Sequence, residues 1–178
     1  MKKTTLIIAL GLMASITFAQ KKTTTSASVN FDATTSLDAL PKADNKTVVA
    51  ALDTKTGSVA FEAIIKSFSF SNPMMQDHFN GAKWMDSEKF PKATFKGTIT
   101  NLSEVNFAAD GSYKANVEGE LTMHGVTKPV KTTADINVSG GTITSKSEFS
   151  IIGADYGIGD ADGKVAKEPK IYVAAEFK

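Results

Sequence analysis

The segment YKANVEGELTM, residues 113–123, alternates without a break: Tyr113, Ala115, Val117, Gly119, Leu121 and Met123 share one face, and Lys114, Asn116, Glu118, Glu120 and Thr122 the other. Successive side chains of a strand point to opposite faces, so this period of two describes a sheet with one apolar face and one face in water. The pattern extends both ways. Upstream, Ala93, Phe95, Gly97 and Ile99 alternate with Thr94, Lys96, Thr98 and Thr100, and Val59, Phe61, Ala63 and Ile65 form a more blurred run. Downstream come Val130, Thr132, Ala134, Ile136 and Val138, then Ile143, Phe149 and Ile151, and finally Ile171, Val173, Ala175 and Phe177. A first strand is expected from Ser26. Turn residues separate the runs at Asp53 to Gly57, Asp110-Gly111, His124-Gly125 and Ser139-Gly140-Gly141. Eight or nine strands at spacings of roughly 10 to 15 residues predict an all-β antiparallel sandwich or barrel, not a parallel sheet with crossover helices.

One stretch departs from the period. Asn72 followed by Pro73 is a capping residue with proline at the first helical position, and the residues up to Gly81 suit a short helix. Residues 37–45, LDALPKADN, read as a connection, and the loop from Gly153 to Gly163, with four glycines and three aspartates, as exposed and mobile.

The choice between sandwich and barrel turns on residue size. Many inward positions are small: Ala63, Gly97, Ala115, Gly119, Ala134, Ser145, Ser147 and Ala175. A solid core needs large side chains that interdigitate, whereas an eight-stranded barrel is just wide enough to be filled or to hold one small ligand. Small inner residues therefore favour a barrel with room inside. Because an empty void is destabilising, that room calls for something apolar to fill it.

Composition excludes several functions. The 178 residues suit one domain, and all 20 basic residues are Lys against 19 acidic ones. A chain without the arginine fork and without a basic field is not expected to bind nucleic acid. Zero Cys removes disulfides, thiolate catalysis and zinc-thiolate sites. His78 and His124 are the only imidazoles, no G-x-S-x-G occurs, and Gly157-Ile158-Gly159 lacks the third glycine of a dinucleotide loop. In Asp160-Ala161-Asp162-Gly163 the carboxylate that would close a calcium loop is replaced by Ile171. No enzyme activity, cofactor or metal is expected. His124 is expected to hold its tight turn through backbone groups, and His78 to cap the helix or sit near a ligand mouth.

Residues 1–19, MKKTTLIIALGLMASITFA, combine two lysines, an apolar run from Leu6 to Ala14, and Thr17 and Ala19 at the small-residue positions of a cleavage site. This is the pattern of a secretory signal peptide cleaved before Gln20, and the run is too short for a membrane anchor. The expected organisation is a leader over 1–19 and one domain over 20–178, periplasmic or secreted, without stable membrane insertion. In that setting the triplets at Asn45, Asn101 and Asn137 are read as chance sequons.

Three ordered motifs carry a resemblance: Met75-Gln76-Asp77-His78-Phe79, then Phe90-Pro91-Lys92-Ala93-Thr94-Phe95-Lys96-Gly97, then Gly119-Glu120-Leu121-Thr122-Met123-His124-Gly125-Val126-Thr127-Lys128-Pro129. Together they resemble the YceI-like family. The resemblance implies a lipocalin-like barrel, in an exported bacterial protein, that binds a polyisoprenoid or another long amphiphile. It also implies a channel lined by inward apolar side chains, for which Phe61, Ile65, Phe68, Phe70, Phe79, Phe95, Ile99, Val117, Leu121, Phe149 and Ile151 are the expected ligand-binding residues. Burial of a hydrocarbon chain at about 25 cal/mol per Å² gives such a site affinity without polar contacts. Two readings follow: a monomeric or homodimeric carrier or storage protein for an isoprenoid or fatty acyl chain, or a structural protein whose solid barrel acts through its outer surface and loops.

Overall fold

The computed structural model describes residues 20–39, 41–159 and 164–178; the leader expected over residues 1–19 lies outside them. Eight strands form the wall of a closed antiparallel barrel: β1 (Lys21–Asp32), β2 (Lys42–Asp53), β3 (Ser58–Ile64), β5 (Lys92–Ile99), β6 (Gly111–Met123), β7 (Val126–Ser139), β8 (Thr142–Ser150) and β9 (Lys170–Phe177). A two-residue strand, β4 (Ser69–Phe70), pairs only with β2. Each wall strand pairs with its neighbour in the chain, and β1 closes the ring by pairing with both β2 and β9.

The pleat follows the alternation. Along β5 and β6, Phe95 faces Leu121, Gly97 faces Gly119 and Ile99 faces Val117, all inward. On the outer face Glu118 pairs with Lys131 at 3.0 Å and Lys114 with Asp135 at 2.8 Å, each pair sharing one cross-strand register. Such exposed pairs stabilise little, but a one-residue slip would turn these charges into the lumen.

Two hairpins close with two residues each. Gly140 and Gly141 link β7 to β8 at φ of 55° and 82°, and His124 and Gly125 link β6 to β7 at φ of 52° and 77°. Both are the left-handed pairs whose twist matches that of the strands. Asp110-Gly111 is no such turn. Gly111 already belongs to β6, and eleven residues connect it to β5, because a 3₁₀ turn at Leu102–Glu104 carries Val105 into the core. Leu102 and Phe107 pack against the same core, so this connection plugs the end of the barrel where β1 begins and β9 ends.

Two further expectations are corrected in the first two strands. β1 starts at Lys21, five residues before Ser26, because Lys21, Lys22, Thr23 and Thr24 pair with Asp53, Leu52, Ala51 and Ala50 of β2. β2 starts at Lys42, inside the stretch read as a connection. Its alternation slips where Ala27 pairs with Val48 but Val29 pairs with Asn45, a bulge in which β2 advances three residues while β1 advances two. Fully buried Asn45 holds the bulge: its Nδ2 donates to the Ile64 carbonyl at 3.0 Å, and its Oδ1 accepts from the Thr47 N–H at 2.9 Å and the Thr47 hydroxyl at 3.0 Å. No glycan could be attached to an amide so enclosed.

The short helix α1 (Pro73–Asn80) forms as its sequence predicts, with Asn72 Oδ1 accepting from the Met74 N–H at 2.9 Å. It lies in the connection between β3 and β5, at the end of the barrel opposite the plug.

Replacing Asn45 by Ala should strand the Thr47 N–H and the Ile64 carbonyl and cost about 1–3 kcal/mol, read from the urea unfolding midpoint. At the β2–β3 turn, Asp53 Oδ1 accepts from the Lys55 and Thr56 N–H groups at 2.9 and 3.1 Å. The Thr56 hydrogen bond foremost holds this carboxyl below its ordinary value of 3.8. The turn's stabilisation is therefore present above that value and lost as pH falls through the lowered one. An acid titration followed by NMR should move the Thr56 amide resonance with a midpoint below pH 3.8.

Candidate functional site

The lumen is hollow. A cavity of about 490 Å³ runs through the barrel from the plugged end, where Leu52, Val59, Ile99 and Phe177 line it, to the end crossed by α1. Its wall is built from β-strand side chains of the inward phase, among them Val59, Phe61, Phe95, Val117, Leu121 and Val173. Of the eight small inward residues, Ala63, Ala115, Ala134, Ser145 and Ser147 line it directly.

Gly97 and Gly119 make room in another way. They face each other across β5 and β6, and a Cβ on either would come within 2.7 Å of the Phe95 ring and within 2.7 Å of backbone atoms. The two bare backbones let the strands approach and let the Phe95 ring lie against the wall. Ala175 is buried in the core without lining the cavity.

Ten of the eleven residues expected to line a channel do so: Phe61, Ile65, Phe68, Phe79, Phe95, Ile99, Val117, Leu121, Phe149 and Ile151. Phe70 does not. Its ring packs on Phe79 with centroids 4.9 Å apart, because the chain leaves the barrel wall at the 3₁₀ turn Ile65–Ser67 and alternation beyond that point no longer reports on the lumen. Phe79 also meets Phe31 at 6.1 Å and Phe68 at 5.6 Å, so one helix side chain organises an aromatic cluster at the cavity's open end. Val29, Phe31, Val48 and Leu52 of β1 and β2 line the cavity as well, together with Trp84 and Met85 after the helix.

Polar groups on the lining are few. Thr132 and Ser147 bond each other at 3.0 Å, and the Ser147 hydroxyl donates to the Thr133 carbonyl at 2.8 Å, so the wall itself satisfies them. Lys167 is the only charged residue among the described lining residues, and it is exposed at the rim.

The first half of the loop from Gly153 to Gly163 is folded, against expectation; residues 160–163 lie outside the described ones. Gly153–Tyr156 form a 3₁₀ turn, Tyr156 is buried, and Ile158 lines the cavity. Gly157, at φ 71°, reverses the chain. The segment is tied to its surroundings by Gly153 N–H to the Lys167 carbonyl at 3.3 Å and Ala166 N–H to the Ala33 carbonyl at 2.8 Å. Burial, and secondarily the Asp155 carboxylate, push the Tyr156 phenol up, so it stays protonated.

His124 joins this cover to the barrel. Its Nδ1 stands 2.8 Å from the Tyr156 carbonyl oxygen, which can only accept, so Nδ1 carries the proton. The Phe90 ring abuts the imidazole edge-on at 4.8 Å. Gly125 is required beside it, since a Cβ there would fall 2.6 Å from the same ring. His78 is exposed on the last turn of α1 and does not line the cavity. Among the described residues no three His, Asp or Glu side chains gather as metal ligands would, and no helix is long and apolar enough to cross a membrane.

A closed eight-stranded antiparallel barrel with an apolar interior cavity, one plugged end and one covered by loops defines the class of this protein. Within that class the chain belongs to the YceI-like domain family, whose model matches residues 13–177. It is 39% identical over 72 residues to a UPF0312 protein of Pseudomonas putida strain GB-1, a match covering 40% of this chain and 34% of the relative. A UPF0312 protein of Pseudomonas fluorescens is 42% identical over 62 residues, covering 34% and 30%. The matched region thus spans about a third of the curated relatives' length. Among solved structures, a polyisoprenoid binding domain from Saccharophagus degradans superposes with a TM-score of 0.74 at 12% identity, covering 89% of this chain and 98% of that one. BcnA of Burkholderia cenocepacia gives 0.70 at 22% identity, covering 85% and 96%. The Campylobacter jejuni YCEI protein gives 0.60 at 16%, covering 100% and 99%. At these identities the likeness is one of fold.

Changing His124 to Asn keeps a residue tolerant of positive φ but removes the reach to Tyr156. The expected result is a loss of about 1–2 kcal/mol and faster amide exchange over residues 153–158, with β6 and β7 unchanged, measured by hydrogen exchange.

Proposed function

We propose that the chain is an exported, non-catalytic binding protein that holds one long apolar molecule, a polyisoprenoid, a fatty acid or a similar amphiphile, inside the barrel as a carrier or store. The observation that supports this most is the 490 Å³ cavity, lined almost wholly by hydrocarbon and with the Thr132 and Ser147 hydroxyls of its wall bonded to each other. Such a lumen stabilises a guest by burial alone, at about 2.5 kcal/mol for each 100 Å² of apolar surface removed from water, before the cost of ordering the guest. Specificity then lies in length and width. The residues proposed to touch the guest are the ten expected ones that line the lumen, with Phe70 supporting Phe79 from behind. The polyisoprenoid-binding neighbour from Saccharophagus degradans supports the ligand class. The leader-like residues 1–19 support export to the periplasm or beyond. A solid barrel acting only through its outer surface does not fit a lumen of this volume.

The test is native mass spectrometry of the processed protein, purified from a bacterial periplasm without detergent, followed by extraction and identification of any released mass. One hydrocarbon-chain molecule per barrel is expected. A protein that is empty and takes up neither added isoprenoid nor fatty acid would overturn the reading. Leu121→Trp, which adds an indole to the middle of the lumen, should lower uptake of a long-chain ligand at least tenfold while leaving the far-ultraviolet spectrum unchanged.

A further inference from the structure

Four large apolar side chains stand exposed among the described residues: Leu37 at 77%, Met74 at 66%, Ile152 at 47% and Val49 at 45%. Val49 lies on the outer wall, on β2. The other three share one end of the barrel. Leu37 lies in the β1–β2 connection, Met74 on the first turn of α1, and Ile152 just beyond β8, and all three connections surround the open end of the cavity. The connections are also joined: the Thr35 hydroxyl donates to the Lys164 carbonyl at 3.3 Å, and Ala166 N–H to the Ala33 carbonyl at 2.8 Å.

From this placement we infer that the open end docks on the surface of a lipid bilayer, with Leu37, Met74 and Ile152 inserted at the level of the headgroups and acyl carbonyls. Single apolar side chains scattered over a surface need no explanation, but three that ring the mouth of an apolar cavity do. The occupant follows from two observations. The three side chains stand on three separate segments, an arrangement that a fluid surface can fill around each residue and a folded partner cannot easily match. The described residues of the connections at this end carry five lysines and six carboxylates. With no cationic field, attachment rests on apolar insertion, so the fitting surface is a neutral bilayer, with lysine stems such as that of Lys167 reaching to the phosphates. The purpose of such docking rests on the carrier reading: an apolar guest would pass between bilayer and cavity without crossing water.

Flotation of the processed protein with neutral phosphatidylcholine vesicles tests the surface. Uptake of the fluorescent apolar probe N-phenyl-1-naphthylamine, measured without vesicles, tests the cavity separately. The wild type is expected to float with the vesicles. Leu37→Glu, Met74→Glu and Ile152→Glu together should lower the floated fraction at least tenfold, and Met74→Glu alone should lower it measurably. Val49→Glu, equally exposed but on the wall, should float as the wild type does. All variants should take up the probe normally, which also shows that they fold. A wild type that stays in the dense fraction, or a triple variant that floats unchanged, overturns the proposal. Flotation only with anionic vesicles, abolished by salt, overturns it in favour of a charge-driven contact. Failed probe uptake by the wild type would instead overturn the carrier reading and leave the vesicle result to stand or fall by itself.

Discussion

Ring closure by backbone hydrogen bonds is the constraint on which everything else in this structure depends. Because β1 pairs with both β2 and β9, each wall strand has a partner on either side. Backbone polar groups are then satisfied along every paired register whatever the lumen contains. A sandwich of the same strands would need its two inner faces to meet and interdigitate. The closed ring lacks that requirement and can keep alanines, serines and a glycine pair on its inner face without losing its shape.

The two ends divide the remaining tasks. At one, Val105, Leu102 and Phe107 supply the packed hydrophobic material that the lumen lacks, in contact with a core that includes Val138, Ile143 and Phe177. At the other, Phe79 from α1 and Tyr156 and Ile158 from the folded loop cover the cavity with groups held by few bonds. His124 links the two kinds of structure: it sits at a hairpin corner fixed by the strongest local signal in the sequence, and its ring holds a segment with hardly any.

That contrast explains what the sequence made legible. Strands with one face in water and one inside, such as β6, write their geometry as alternation, and the inward phase names the lining directly. Asn72-Pro73 likewise announces α1. Where backbone geometry departs from the repeat, the pattern fails. The bulge at Asn45 hid β2, since a buried amide surrounded by lysine and threonine reads as turn. With β2 went Val48 and Leu52, and the irregular register of β1 concealed Val29 and Phe31. The glycines and aspartates after Gly153 suggested an exposed loop, although Tyr156 and Ile158 among them were the signal of something that buries. Phe70 shows the converse failure, an inward phase carried past the point where the strand leaves the wall.

The up-and-down order of the strands has a consequence for how the ring forms. All wall pairings except one join strands adjacent in the wall sequence. The exception is the β1–β9 seam, which joins residues as distant as Ser28 and Ala174 through only five registered pairs. Closing a loop of that length costs on the order of 3 kcal/mol more entropy than closing a four-residue hairpin. Nearly the whole topological cost of the barrel is thus concentrated in one ladder of five pairs. The seam is the step that waits for the rest of the sheet, and until it shuts the future lumen is one open, curved apolar face along its full length.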